Sequence, residues 1–248
     1  MVTILRGTTP RVYFKFIVLN ISQKREYPNI RFVSLSAVLG SNFDLIFKRK
    51  SIDDMVLLSD GKGLPNMESF TIAMYLRADS RYNSGTLFSY SVPQQPNQII
   101  VLSFTESQVQ LKIKDSMVSA DIDLTDDQWH FLGAVWQAVT GIVSVYVDGT
   151  EITKARNVKT NDTIIGGGWL VLGQRFLAEV KMPTLSTAFA GTMHQVGFWN
   201  SPAEPIDMWI AAQNCTWPIA GSLRSWNNFL FGIKGHVEKR FMTQCKGT

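Results

Sequence analysis

From Phe43 onward the apolar residues of this 248-residue chain recur at every second position, and no other feature narrows its fold as much. Phe70, Ile72, Met74 and Leu76 alternate with Thr71, Ala73, Tyr75 and Arg77. Val109, Leu111 and Ile113 alternate with Gln110, Lys112 and Lys114, and Val118, Ala120, Ile122 and Leu124 with Ser119, Asp121 and Asp123. Successive side chains of a strand point to opposite faces, so these stretches read as sheet with one buried face and one wet face. Val143, Val145 and Val147 run into Asp148-Gly149, and Asp-Gly between β-prone residues predicts a tight hairpin because the turn needs positive φ at both positions. That places a strand at Ile142–Val147 and its partner after Gly149. Further strands fit Thr86–Val92, Ile99–Thr105, Gln128–Gln137, Trp169–Gln174, Thr192–Trp199 and Ser222–Trp226. Only Pro205–Asn214, with Ile206, Trp209 and Ile210, has helical spacing. Many short strands with frequent turn residues predict an all-β, two-sheet antiparallel jelly-roll sandwich with one short helix. A single helix excludes a βαβ nucleotide fold.

A composition of 45% hydrophobic and 18% charged residues supports a sizeable core without a metal or a disulfide framework, and rules out a disordered or collagenous chain. No apolar run approaches the roughly 20 residues a membrane helix needs. The formal charge of +4 is unevenly placed. Nine Lys/Arg in the first 50 residues face only Glu26 and Asp44, leaving +7 there, whereas 15 Lys/Arg against 18 Asp/Glu leave −3 in the remainder. Residues 1–42 are therefore read apart from a domain at 43–248, as a basic extension that is either a secretory leader or a disordered tail. Basic tails attract nucleic acid, but zinc spacing, a basic helical stripe and RNA-binding motifs are absent, so no nucleic-acid partner is expected.

Seven features in register, Phe70-Thr71-Ile72, Phe88-Ser89-Tyr90, Trp129-His130 with Trp136, Val147-Asp148-Gly149, Leu172-Gly173-Gln174, Trp199-Asn200 and Ser225-Trp226, resemble a pentraxin domain over about residues 43–245. The resemblance implies the jelly roll shared with laminin G and legume-lectin domains, with the short helix lying across one sheet. It also has informative departures. The family signature His-x-Cys-x-Ser/Thr-Trp falls on Phe131, Gly133, Val135 and Trp136, so only the tryptophan remains, and the partner cysteine falls on Ala73. Both halves of the usual intrasheet disulfide are absent together, as expected where a lone thiol would be a liability. The cysteines present, Cys215 and Cys245, resemble the pair that brackets a Gly…Ser-Trp segment in pentraxin-like domains near the N-termini of adhesion G-protein-coupled receptors. If joined, they close a loop of about 30 residues, which chain entropy values at roughly 3–4 kcal/mol; the alternative is two unpaired thiols.

The resemblance also locates where calcium-binding relatives hold two ions. The Asp-Asn pair of those relatives falls on Pro96 and Asn97, and the Glu-Gln-Asp cluster on Arg175, Phe176 and Leu177. Calcium takes six to eight oxygens, several from carboxylates. Glu179 is the single acid between Arg175 and Ala190. No metal site and no calcium-dependent phosphocholine binding are therefore expected.

Catalysis finds no support in the residues. Glycoside hydrolases on this fold need two carboxylates facing one cleft, often as Glu-x-Asp-x-x-Glu, and that pattern is missing. Asp121 and Asp123 share an alternating face that reads as solvated. His130, His194 and His236 form no metal-binding or nucleophile-activating motif, and His130 reads as a strand residue with one nitrogen satisfied at the surface. Trp129, Trp136, Trp199 and Trp226 read as packing. Trp209 is either packed on the sheet or part of a partner surface, as Trp169 and Trp217 are less constrained. Asn161-Asp162-Thr163, Asn214-Cys215-Thr216 and Asn20-Ile21-Ser22 are N-glycan acceptor triplets, with Asn161 in a loop. The expectation is a non-catalytic extracellular recognition or adhesion module, part of a receptor ectodomain or a secreted relative. It would need no cofactor, would bind a protein or glycan ligand, would be open to homo-oligomerisation, and would meet a membrane only through segments outside this chain. The alternatives are a calcium-independent lectin or lipid-head-group binder, and a degenerate glycoside hydrolase.

Overall fold

The alternation of Phe70, Ile72, Met74 and Leu76 becomes β3 (Ser69–Ala78), the middle strand of the first of two antiparallel sheets in a computed structural model that describes residues 43–59, 64–176, 183–214 and 222–241. That sheet has the order β10 (Thr150–Ala155), β9 (Ile142–Val147), β8 (His130–Gln137), β3, β12 (Gly191–Trp199), β1 (Phe43–Phe47) and β14 (Glu238–Phe241). The second runs β13 (Ile233–Lys234), β2 (Met55–Leu58), β11 (Trp169–Leu172), β4 (Ser84–Val92), β5 (Gln95–Thr105), β6 (Gln108–Ile113) and β7 (Ser116–Asp121). The two-sheet sandwich with one α-helix, α1 (Pro205–Asn214), is the predicted fold. Between the sheets lies one large apolar cluster including Phe43, Phe70, Phe88, Trp136, Phe198 and Phe229.

The hairpin at Asp148-Gly149 is as the sequence predicts: φ is +50° at Asp148 and +82° at Gly149, so both turn residues are left-handed and β9 pairs directly with β10. Other expectations need correction. Ser222–Trp226 is not a strand. Arg224 makes an isolated bridge to Phe198, and the chain then turns into a 3₁₀ helix at Trp226–Gly232. Its indole stacks on Phe43 with ring centroids 4.7 Å apart and donates to the Phe43 carbonyl at 2.9 Å, so the segment serves as an aromatic plug. The strand carrying Asp121 ends there. Asp123 lies beyond it, its carboxylate accepting both the Thr125 amide (2.7 Å) and hydroxyl (2.6 Å). The two acids therefore share no strand face.

The outer face of β3 is not wet either. Ala73 and Tyr75 are buried with Phe131, Val135, Tyr146 and Trp199 beneath Met208, Ala211 and Ala212 of α1. Pro205 sits in the first turn of that helix, where a missing N–H is harmless, and Asp207 accepts the Glu204 amide at 3.2 Å. Thr71 anchors the approach to the helix, its hydroxyl donating to Ser201 (2.7 Å) and accepting from Ala203 (2.9 Å). At the far end the Tyr75 hydroxyl donates to the Ala211 carbonyl, one of the last-turn carbonyls without a helical partner.

Ala73 and Gly133, where the resemblance puts the missing disulfide, are directly opposed across β3 and β8. A Cβ on Gly133 would come within 2.6 Å of the Met208 sulfur. The thioether of Met208, fully buried, occupies the space above the pair, so the helix itself closes this part of the sheet.

Candidate functional site

α1 covers the outer face of the first sheet over β3 and β8, and the outer side of the second sheet carries a groove of its own. Strand alternation fixes what it presents. On β4, Phe88 and Tyr90 enter the core, so Ser89 and Ser91 face out; on β5, Ile100, Leu102 and Phe104 enter it, leaving Val101, Ser103 and Thr105 outside. Gln110 and Lys112 of β6 complete the row, paired in register with Ser103 and Val101.

The segment after β11 folds back onto this face. Gly173, at φ +81°, redirects the chain, and Gln174 that follows is fully buried. Its Nε2 donates to the carbonyls of Ser51 (3.1 Å) and Thr184 (3.2 Å), while its Oε1 accepts the Arg175 amide (3.1 Å) and the Thr187 hydroxyl (3.0 Å). Both donors and both lone pairs of the carboxamide are thereby engaged. The Ser89 hydroxyl donates to the Gln174 carbonyl at 2.9 Å and accepts the Phe176 amide at 3.2 Å, and Ser91 donates to the Phe176 carbonyl at 3.2 Å. Phe176 packs with Met55 and Val171 and stacks on Trp169 at 5.9 Å. An apolar ring thus occupies the position that the resemblance assigns to a liganding carboxamide. Asn97 is exposed on β5, and Pro96 beside it has no donor oxygen in its side chain. Leu177 and Glu179 lie outside the described residues. Among the described residues no three His, Cys, Asp or Glu side chains are grouped to hold a metal ion.

Beside Gln174, between β4, β5 and β6, the same face forms a groove of about 190 Å³ into which Lys112, Arg175, Thr86, Ser103 and Gln110 project. Lys50 stands at its edge, donating to the Ser84 hydroxyl and the Ser186 carbonyl, both at 3.2 Å. Partial burial pulls the Lys50 ammonium below its ordinary pKa. A second cavity, about 370 Å³, lies at the end of β1, β3 and β12. Its cations have partners within the fold: Arg81 makes bonds of 2.9 and 2.5 Å to the Asp79 carboxylate, Lys48 pairs with Glu238, and Arg77 lies over the Trp129 ring.

The histidines are differently placed from their sequence reading. His130 has both nitrogens engaged, Nδ1 to Asp148 at 2.8 Å and Nε2 to Asp126 at 3.1 Å. Asp148 also accepts the Phe131 amide at 2.8 Å, so the pair clasps the β9–β10 turn to β8. The bond to Asp148 is the largest influence and raises the imidazole above its ordinary pKa, outweighing burial, with Asp126 adding to it. His194 is buried, its Nδ1 donating to the Phe43 carbonyl (2.8 Å) beside Asp44 (3.0 Å), also buried. Bonding to Thr125 lowers the pKa of Asp123, the opposite of what a glycosidase acid requires. Trp136, Trp199 and Trp226 are buried and Trp129 packs at the edge of the helix-side cluster, whereas Trp209 is 53% exposed on α1 with Ile206. Asn161 is exposed in a turn. Asn214 ends α1 with its side chain outside the described residues, as are Asn20, Cys215, Trp217 and Cys245.

The Pentaxin family model matches residues 44–240, from β1 to β14. The chain belongs to the pentaxin family. Human neuronal pentraxin receptor is 32% identical over 187 residues, covering 75% of this chain and 37% of that protein. Guinea-pig (Cavia porcellus) neuronal pentraxin-2 is 28% identical over 185 residues, 75% of this chain and 43% of that one. The chain thus spans less than half the length of these curated relatives. Among solved structures, the heptameric SAP-like pentraxin from Limulus polyphemus matches with a TM-score of 0.63 at 21% identity, over 75% of this chain and 89% of that one. The full extracellular region of zebrafish Gpr126/Adgrg6 also matches with a TM-score of 0.63, at 15% identity, over 83% of this chain and 27% of that one. This pentaxin-family domain is a non-enzymatic recognition module. No helix among its described residues is long and apolar enough to cross a membrane.

Proposed function

We propose that the chain supplies an extracellular recognition domain that binds its ligand without calcium, as part of an adhesion-receptor ectodomain or of a secreted relative. One observation carries the reading. The carboxamide of Gln174 is saturated by four internal hydrogen bonds, and a guanidinium and a phenyl ring follow it where the family resemblance expects acidic and carboxamide ligands. To ligate an ion, Gln174 Oε1 would have to release Arg175 and Thr187, and Arg175 would repel the ion.

The receptor-ectodomain part rests on Cys215 and Cys245 as a terminal disulfide and on the fold likeness to the Gpr126/Adgrg6 extracellular region. The domain is taken to occupy 43–248, with residues 1–42 outside it. A glycan at Asn161 fits the exposure of that turn, and one at Asn214 belongs to the same reading. Its partner is a protein or glycan, met as a monomer or as a homo-oligomer. The test is thermal unfolding of the chain secreted from animal cells, in millimolar calcium against EDTA. A ligand that binds only the folded state at 100 times its Kd adds about 2.7 kcal/mol. The reading expects the same Tm in both, and a rise of several degrees with calcium overturns it. Non-reducing peptide mapping of the same material is expected to show Cys215 joined to Cys245; two alkylatable thiols would remove the receptor-type likeness.

A further inference from the structure

His130 stands between two carboxylates from different segments, Nδ1 2.8 Å from Asp148 in the β9–β10 turn and Nε2 3.1 Å from Asp126 in the connection from β7 to β8. An imidazolium has two N–H donors and satisfies both acids. A neutral ring has one, and its other nitrogen is an acceptor that turns a carboxylate oxygen away. The two acids are not equally held. Asp148 is fixed in a tight turn, also accepts the Phe131 amide at 2.8 Å, and has a side chain 32% exposed. Asp126 is 45% exposed, and its other bond is to the Gln128 amide, two residues on, at 2.9 Å. The neutral ring therefore keeps its proton on Nδ1 for Asp148 and loses Asp126.

Asp126 belongs to a short segment with little else to hold it. Leu124 is fully buried, but Asp126, Asp127 and Gln128 are exposed, and Asp127 sits at φ +60°, a left-handed backbone uncommon outside glycine. The Asp127 carboxylate accepts the Ser80 hydroxyl at 2.7 Å and the Ser80 amide at 3.4 Å, and it lines the cavity of about 370 Å³ together with Arg77 and Arg81. We propose that His130 is a pH-sensitive latch: charged, it holds residues 125–128 closed on Ser80 at the wall of this cavity, and neutral, it lets Asp126 go, so that the segment swings away and the cavity opens. The surrounding charges leave control with His130. Asp123, further back in the same connection, is committed to the Thr125 amide and hydroxyl. Arg77 of β3 lies over the Trp129 ring, and α1 meets the β9–β10 turn at Gly149 with Trp209 and Ala212, neither of them charged. The bond to Asp148, with Asp126 adding to it, raises the imidazole above its ordinary 6.5, so the latch is closed in acid and released as pH rises through that raised value. The device lies on the first sheet and is independent of the calcium-free reading.

The test is nitrogen-15 relaxation of the full chain at about pH 5.5 and about pH 8, beside an NMR titration of the His130 ring. Backbone order parameters of residues 125–128 are expected near about 0.85 in acid and below about 0.6 at the higher pH, while those of β8 and β9 stay near about 0.85 throughout. The Ser80 amide is expected to shift with the same midpoint as the His130 ring. H130Q, which cannot carry the charge, removes the pH response, and D126A leaves the segment loose at both pH values. H236Q, which changes a remote and exposed histidine, responds as the native chain does. Circular dichroism reports whether each variant folds, and D126A, on an exposed connection, guards against a folding defect in H130Q. Equal order in the segment at both pH values, a response that persists in H130Q, or a loss of order shared by β8 and β9 overturns the assignment.

Discussion

Replacing Gly133 with alanine probes how α1 comes to rest directly on β3 and β8. The added methyl would meet the Met208 sulfur at 2.6 Å, about 1 Å inside an ordinary contact of roughly 3.5–4 Å. Met208 is fully buried among Ala73, Phe131 and Tyr146, so its thioether cannot simply swing into solvent. Overpacking of this kind costs about 1–3 kcal/mol. M208A alone opens a cavity and costs about 2–5 kcal/mol. Combined, G133A places a methyl in the vacated space, so the double variant is expected to be at least about 1 kcal/mol more stable than the sum of the single effects predicts. Urea unfolding followed by tryptophan fluorescence measures all three, with an unchanged m-value as the check that the folded state is the same. Additivity to within about 0.5 kcal/mol would mean that Met208 does not sit over Gly133, and the account of the missing disulfide would go with it.

Other outcomes follow from the same packing. Q174L removes a fully buried carboxamide whose partners Ser51, Thr184 and Thr187 are only partly buried and can turn to water, so a loss of about 1–3 kcal/mol is expected by chemical denaturation. Y75F frees the Ala211 carbonyl and should loosen the end of α1 at a cost of about 1–2 kcal/mol, seen as faster amide exchange over residues 205–214. Because Asp148 and Asp126 raise the imidazole of His130, the folded state holds its proton more tightly than the unfolded chain, whose value is near 6.5. That stabilisation is complete below about pH 6.5 and disappears as pH rises through the raised folded value, so urea midpoints at pH 5.5 and 8.5 should differ more in the native chain than in H130Q. An equal difference in both would place the pH dependence elsewhere.

What the sequence revealed and concealed has a physical pattern. Strands with one core face and one polar face were legible, as at β6, where Val109, Leu111 and Ile113 alternate with half-buried polar residues, and so was the Asp148-Gly149 turn, a requirement of backbone geometry. Features that depend on a second layer were not. The outer face of β3 looks half-polar because Thr71 and Tyr75 are there, yet the helix covers it and their hydroxyls bind its approach and its end. The burial of Asp44 in β1 beside His194, about 150 residues away, has no local sign in the sequence. Arg224 and Trp226 have the composition of a strand, but stacking on Phe43 decides their conformation.

The candidate site was half legible. Arg175 and Phe176 could be placed by resemblance, and their identity argued against a metal. The role of Gln174 could not, since its partners, Ser51, Thr184 and Thr187, come from two other segments. Nor could the groove, because Lys50, Lys112 and Arg175 lie on three separate stretches and converge only when β4, β5 and β6 lie side by side. A lysine preceding a serine, or one in an alternating strand, carries no sign of that convergence. The unpaired Arg175 Nε is visible only in three dimensions.

The sharpest measurement is equilibrium dialysis of the secreted, glycosylated chain against radiolabelled calcium at physiological ionic strength. Retention no greater than that of a control protein without calcium sites is the predicted result. Saturable retention near two ions per chain at micromolar free calcium, lost in Q174L, would contradict the account at its centre.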